Sequence, residues 1–246
     1  MAADTNHAAF PQPPDASVRV WRYMDFTKFV FLLDNSSLYF SRADQLGDPF
    51  EGSYSRGNVS LRPLVYKEAP NAAAMFEQVA RLSKWVREWT FISCWHMNEH
   101  ESAAMWRLYA KSNEAVAVTS TYARLVEVLP RNVFIGAVQY IDYERDWLPE
   151  GNSFYPFMHK RKSFEHEREV RAIIQELPSE NGSIPVGKQN LSLGQVVQIK
   201  PGDLIERVHV APTASPWLRD LVERISRKYE QTWAVHRSLL DSEPVY

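Results

Sequence analysis

The stretch Glu167-Arg168-Glu169-Val170-Arg171-Ala172-Ile173-Ile174 constrains the fold more than any other part of the chain. Side chains of an extended strand alternate between two faces, so Glu167, Glu169 and Arg171 project together. Val170, Ala172 and Ile174 form the opposite, core-seeking face. Such a strand belongs in the middle of a sheet, and its charged face must either meet water or be built into something. Like charges side by side raise one another's pKa, while an adjacent guanidinium lowers it, an arrangement common at active sites. The plainer reading is an exposed sheet face where acid and base pair in solvent.

The rest of the chain supplies partners for that strand. Val18–Tyr23, Thr27–Leu33 and Ser37–Ser41 read as strand, helix, strand, and 44–57 reads as a loop broken by Gly47, Pro49 and Gly52. Asn71 is placed to cap a helix whose stripe is Met75, Val79, Leu82, Val86 and Trp89. Strands are expected at Thr90–Trp95, Ala115–Thr119, Gly194–Lys200 and along Val133–Tyr143, with a bend at Gly136. Helices are expected at Glu101–Lys111 and Thr121–Leu129. Ile205–Val210, Ser215–Tyr229 and Thr232–Val235 close the chain as strand, helix, strand. On that last helix Trp217, Leu221 and Ile225 make one stripe, with Leu218 and Val222 beside them. This mixed order implies an α+β domain over 18–246, with a mixed or split β-sheet and flanking helices. Residues 1–17, rich in Pro and small polar residues, read as a disordered tail.

Composition narrows the function classes. Of 246 residues, 45% are hydrophobic and 24% charged, which excludes a collagen-like or low-complexity chain. A net charge of −2 argues against a global polycation made to coat nucleic acid, although the basic run His159–Lys162 could meet phosphates locally. One cysteine, Cys94, excludes an internal disulfide. No apolar run reaches the roughly 20 residues needed to span a bilayer. The N-terminus has no basic start followed by an apolar stretch, so a cytoplasmic location is expected.

Three further groups invite chemistry. Arg22 on the first strand could clamp a phosphate with its planar fork, and Tyr39 or Phe40 could stack on a flat ring. The alternative makes Trp21, Tyr23 and Phe40 core residues and Arg22 a partner for a carboxylate. Asp48-Pro49-Phe50-Glu51-Gly52 and Cys94-x-His96-x₃-His100 carry candidate metal ligands, but neither has the spacing of a calcium loop or a structural zinc site. No metal is expected. Phosphate-cradling glycine loops and the G-x-S-x-G and H-E-x-x-H motifs are missing.

The order of these motifs carries a resemblance. Arg22-Tyr23, Tyr39-Phe40-Ser41, Asp48-Pro49-Phe50-Glu51, Ser93-Cys94-Trp95, Met105-Trp106-x-x-Tyr109-Ala110, Lys160, Phe164-x-x-Glu167-x-Glu169-x-Arg171 and the strand–helix–strand from Ile205 resemble a bacterial family catalogued as domain of unknown function 2971. Phe164 stands where that family often has Trp. The chain is also similar, more distantly, to the ADP-ribosyltransferase superfamily. There an Arg or His on the first strand, a Ser or Tyr on the second and a later Glu-x-Glu occur in that order, here Arg22, Ser41 and Glu167-x-Glu169. Ser41 is followed by Arg42-Ala43-Asp44, not by the superfamily's Ser-Thr-Ser form.

That second resemblance implies NAD as substrate. It gives Arg22 the pyrophosphate, Ser41 the nicotinamide ribose, Glu169 the stabilisation of the transition state, and Glu167 the task of orienting or deprotonating an acceptor. Tyr23, Tyr39 and Arg171 complete the expected nucleotide-binding set. The implied protein transfers ADP-ribose to a protein or nucleic-acid acceptor, or hydrolyses NAD, as a toxin or phage-defence effector. Two other classes compete with it. One is a non-catalytic nucleotide- or protein-binding module whose Glu–Glu–Arg network supports a groove. The other is a nucleic-acid-processing protein that sets Arg22 and His159–Lys162 against phosphates.

Overall fold

Strand β1 (Arg19–Asp25) runs directly into helix α1 (Phe26–Asp34), which buries Phe29, Leu32 and Leu33 on the sheet. Asn35 and Ser36, the latter at φ 45°, turn the chain back into β2 (Ser37–Arg42). In this computed structural model residues 3–245 are described. Helices α2 (Arg56–Val65) and α3 (Ala72–Val86) lead to β3 (Thr90–Met97), α4 (Ala103–Tyr109), β4 (Ala115–Thr121) and α5 (Tyr122–Val128). Then come β5 (Phe134–Ala137), β6 (Gln139–Ile141), α6 (Tyr155–Met158), β7 (His159–Arg161) and β8 (Glu169–Gln175). The chain closes with β9 (Gly194–Gln198), α7 (Pro201–Leu204), β10 (Arg207–Val210), α8 (Pro216–Lys228) and β11 (Ala234–Arg237).

These strands form the expected mixed, split sheet of an α+β domain. Its order is β11-β10-β4-β1-β3-β2-β9, with β8 added to β3 and β5 added to β8, while β6 and β7 make a separate parallel pair. Every pairing in the large sheet is antiparallel except β10 with β11, the parallel pair that α8 joins. Val170, Ala172 and Ile174 lie in the main core with Phe40, Phe91, Trp95 and Val118, as their spacing predicts. Ile173, on the other face of β8, packs in a second core with Trp85, Phe154, Phe157 and Met158.

Several local expectations are corrected. The tail is not loose over residues 3–17: Ala9 and Phe10 are buried, and Asp4 bridges β5. Phe10 anchors it through ring contacts with Phe134 and Phe154, a single aromatic in a stretch whose composition otherwise reads as disordered. Met1 and Ala2 lie outside the described residues. The long strand Val133–Tyr143 divides at Val138, whose N–H makes the last bond to β8 at Glu169 O before β6 pairs with β7 instead. Gly136 is where the tail crosses, and a Cβ there would lie 2.8 Å from the Phe10 and Pro11 backbone. The loop reading of 44–57 ends at Ser55, which caps the unanticipated helix α2 by accepting from Asn58 N–H. Asn71 precedes α3 at φ 60° without capping it through its side chain, and of the expected stripe Val86 is buried while Leu82 is exposed. On α8 Leu218 and Val222 make the buried stripe, and Trp217 is exposed.

Phe10→Ala should cost about 3 kcal/mol, the usual loss for truncating a packed phenylalanine. Urea denaturation measures this, and limited proteolysis should show faster cleavage before residue 17. Unchanged stability and cleavage would refute the anchoring role.

Candidate functional site

The site arises from an uneven sharing of β3. Strand β8 pairs with β3 from Thr90 to His96. On its other edge β2 takes Phe91 and Ile92, whereas β1 takes only His96 and Met97. Between them Ser93, Cys94 and Trp95 face no strand on that edge, and β1 and β2 fork apart. A cleft of about 820 Å³ occupies the fork.

Arg22 sits in it. Its Nη1 donates to Ser93 Oγ at 2.8 Å and its Nη2 to Tyr39 O at 2.9 Å, with the Trp95 ring centroid 5.6 Å away. Among the described residues no carboxylate pairs with Arg22, and desolvation lowers its pKa to about 10. A guanidinium held by neutral oxygens in a partly buried cleft keeps an uncompensated charge, which favours an anion beside it. This corrects the surface ion pair considered for Arg22.

The side chains of the Glu-x-Glu-x-Arg segment line the same cleft. Arg171 is 1% exposed and Glu169 3% exposed, so the solvent-facing reading of this strand does not hold. Arg171 Nε donates to Glu169 Oε2 at 2.6 Å, its Nη1 and Nη2 hold the Glu51 carboxylate, and Nη1 also reaches Phe157 O at 2.6 Å. Lys160 Nζ lies 2.5 Å from both Glu167 Oε2 and Glu169 Oε1. Arg168, at φ 40°, ends a short 3₁₀ turn and lets Glu167 join the same cluster. Three carboxyl groups thus share two cations.

The shortfall falls on Glu167. Burial, then the neighbouring Glu169, pushes its pKa from 4.5 up to about 7. Glu169 goes the other way: although burial opposes ionisation, Arg171 and Lys160 hold its carboxyl well below the ordinary value. The pair therefore presents one ionised carboxylate and one group that exchanges a proton near neutrality.

All seven residues singled out from the sequence line this one cleft: Arg22, Tyr23, Tyr39, Ser41, Glu167, Glu169 and Arg171. Their placement differs in kind. Tyr39 is exposed and lies over Gly194, where a Cβ would fall 2.2 Å from the phenol. Tyr23 is buried, stacks on Trp21 at 6.0 Å and accepts from Ser102 N–H through its hydroxyl. Phe40 is core, which leaves Tyr39 as the accessible ring. The basic run is not a phosphate surface, since His159 and Lys160 are buried and Arg161 pairs with Asp48 at 2.8 Å.

Sequence reasoning missed Glu51, Lys160 and Tyr109 as cleft residues. The sequence presents Glu51 as a candidate metal ligand in a turn and not as an ion-pair partner of Arg171, and Gly52 makes that turn possible at φ 71°, where a Cβ would strike the Phe157 ring. Ser37 Oγ, Trp95 Nε1 and His96 Nε2 also belong to cleft-lining residues, and each is buried without a hydrogen-bond partner. Unsatisfied buried polar atoms are costly, and these three belong to residues around one cavity. Among the described residues no group of three or more His, Cys, Asp or Glu is arranged to hold a metal. No described helix is long and apolar enough to cross a membrane.

No family model matches the chain, and the search of curated proteins finds no match. Among solved structures it is similar to Thermus sp. 2.9 DarT in complex with NAD+, with TM-score 0.42 and 7% identity over 94% of this chain and 100% of that one. The same protein with carba-NAD+ gives TM-score 0.39 and 8% identity over 93% of this chain and 98% of that one. With ADP-ribosylated ssDNA the values are 0.42 and 9%, over 94% and 98%. The resemblance to family 2971 accordingly rests on the motifs alone.

Two outcomes test the electrostatics. Arg171→Leu leaves Glu51 and Glu169 buried without their main cation and should destabilise by about 3–5 kcal/mol in urea denaturation. Because the folded protein holds the Glu167 proton up to about pH 7 and the unfolded chain only to 4.5, this group's contribution is full below pH 4.5 and lost as pH rises past 7. Melting curves should therefore show Glu167→Gln gaining on the wild type between those two values. A pH-independent difference would contradict the raised pKa.

Proposed function

We propose that the cleft binds NAD and cleaves the bond between nicotinamide and ribose, passing ADP-ribose to an acceptor or to water. The observation that carries this reading is charge placement: Arg22, without an acidic partner among the described residues, shares one cleft with an ionised Glu169. NAD carries an anionic pyrophosphate and a cationic pyridinium, so its two ends want opposite fields. Arg22 meets the pyrophosphate, and Ser41 supports the ribose next to the nicotinamide. Tyr39, the accessible ring, stacks on a base.

Cleavage follows from the same field. As the bond from C1′ to nicotinamide nitrogen lengthens, positive charge grows on the ribose, and Glu169 is a fixed anion that stabilises it. Its oxygens each accept one hydrogen bond, from Lys160 and Arg171, and a carboxylate has further lone pairs for ribose hydroxyls. Glu167, carrying its proton about half the time near neutrality, orients the acceptor. The proposed setting, a toxin or phage-defence effector of family 2971, rests on the motif resemblance.

A second reading has an observation of its own. Glu169 is bridged on both sides, as a purely structural strut would be, which suits a binding module with a rigid groove. Glu169→Gln separates the two. As an enzyme the protein should release nicotinamide from NAD, and the variant should lose at least about 100-fold in kcat while keeping the NAD-induced rise in Tm. In a module there is no release to lose, and only the melting temperature falls. Arg22→Ala should remove the NAD-induced rise itself.

A further inference from the structure

His96 lies on β3 beside the acidic cluster, cross-strand from Glu169 on β8 and from Trp21 on β1. It is 3% exposed and is one of the residues that line the cleft. Nδ1 lies 2.6 Å from the main-chain oxygen of Glu167. A carbonyl oxygen can only accept, so Nδ1 carries the hydrogen and Nε2 keeps a bare lone pair. That lone pair has no partner among the described residues. The carbonyl fixing its tautomer belongs to the residue whose carboxyl group orients the acceptor, so the two groups are held in one register.

We propose that Nε2 of His96 accepts the proton of the nucleophile that receives ADP-ribose, and that this nucleophile is water or a neutral hydroxyl. The inference rests on the NAD-cleaving reading. In the step, the nucleophile's oxygen forms a bond to C1′ and the bond from C1′ to the nicotinamide nitrogen breaks. That electron pair leaves with nicotinamide, and the nucleophile's proton passes to Nε2 and then to solvent. Burial lowers the His96 pKa and so keeps the imidazole neutral, as a base must be. A hydroxyl offers the single donor that an orphaned acceptor lacks. Glu169, committed to Lys160 and Arg171 and held ionised, is a weak base and serves the ribose instead.

His96→Asn tests this, because the asparagine amide can still donate to Glu167 O from the Nδ1 position but offers nothing at Nε2. The assay follows nicotinamide release from NAD by the full chain, with KM and kcat separated and the NAD-induced rise in Tm measured in parallel. The expected result is a fall in kcat of about 100-fold or more, the ordinary worth of a positioned base, with KM and the NAD-induced rise unchanged. His96→Ala should regain part of its turnover when imidazole is added, which a structural role would not allow. His236→Asn, on the exposed β11, should match the wild type. Wild-type kcat in His96→Asn would overturn the assignment and leave NAD cleavage standing. So would a loss accompanied by a lost NAD-induced rise and no imidazole rescue. A wild-type protein that neither binds nor cleaves NAD would overturn both.

Discussion

The buried guanidinium of Arg171 ties together parts of the chain that are remote in sequence. Through Glu51 it holds the turn that follows β2, through Phe157 O the end of α6, and through Glu169 the start of its own strand. Each contact desolvates both partners, and a buried pair tolerates that only when its remaining hydrogen-bonding capacity is used. Here the geometry is close to complete, with the Arg171 donors spread over two carboxylates and a carbonyl. The acidic wall of the cleft is thereby rigid before any ligand arrives.

That rigidity gives the chemistry its asymmetry. Two glutamates two residues apart in the sequence differ in protonation because their neighbours differ: Arg171 and Lys160 both serve Glu169, and Glu167 shares only Lys160. One carboxyl group is then held ionised, and the other has its pKa raised to about 7. Arg22 completes the polarity from the other strand of the fork. It remains uncompensated because Ser93 and Tyr39 offer it oxygen without charge.

Much of this was legible in the sequence. Alternation identified the core face of β8 and the shared face of Glu169 and Arg171, whereas Glu167 lies before the strand and joins them through a 3₁₀ turn and Arg168 at φ 40°. Strand order placed Arg22, Tyr39 and Ser41 near the cluster. What alternation cannot report is burial of a charged face, because that depends on Glu51 and Lys160 arriving from elsewhere. Lys160 in particular sits in a basic run whose composition reads as solvated, yet it is 8% exposed. The tail failed for a related reason: one phenylalanine suffices to dock a Pro-rich segment when a glycine at position 136 gives its backbone room. Helix α2 was hidden by Pro63, an ordinary helix breaker that this chain carries within the helix.

The fork has a consequence for how the cleft could change over evolution. Along the edge where β1 and β2 part, residues 93–95 of β3 face open space instead of a neighbouring strand. A ligand lying there meets main chain as well as side chains. Recognition through the peptide backbone survives almost any substitution, provided the strand keeps its path. Relatives could therefore share a ligand while sharing few of the residues that surround it, and the shape of the parting strands would be the inherited feature.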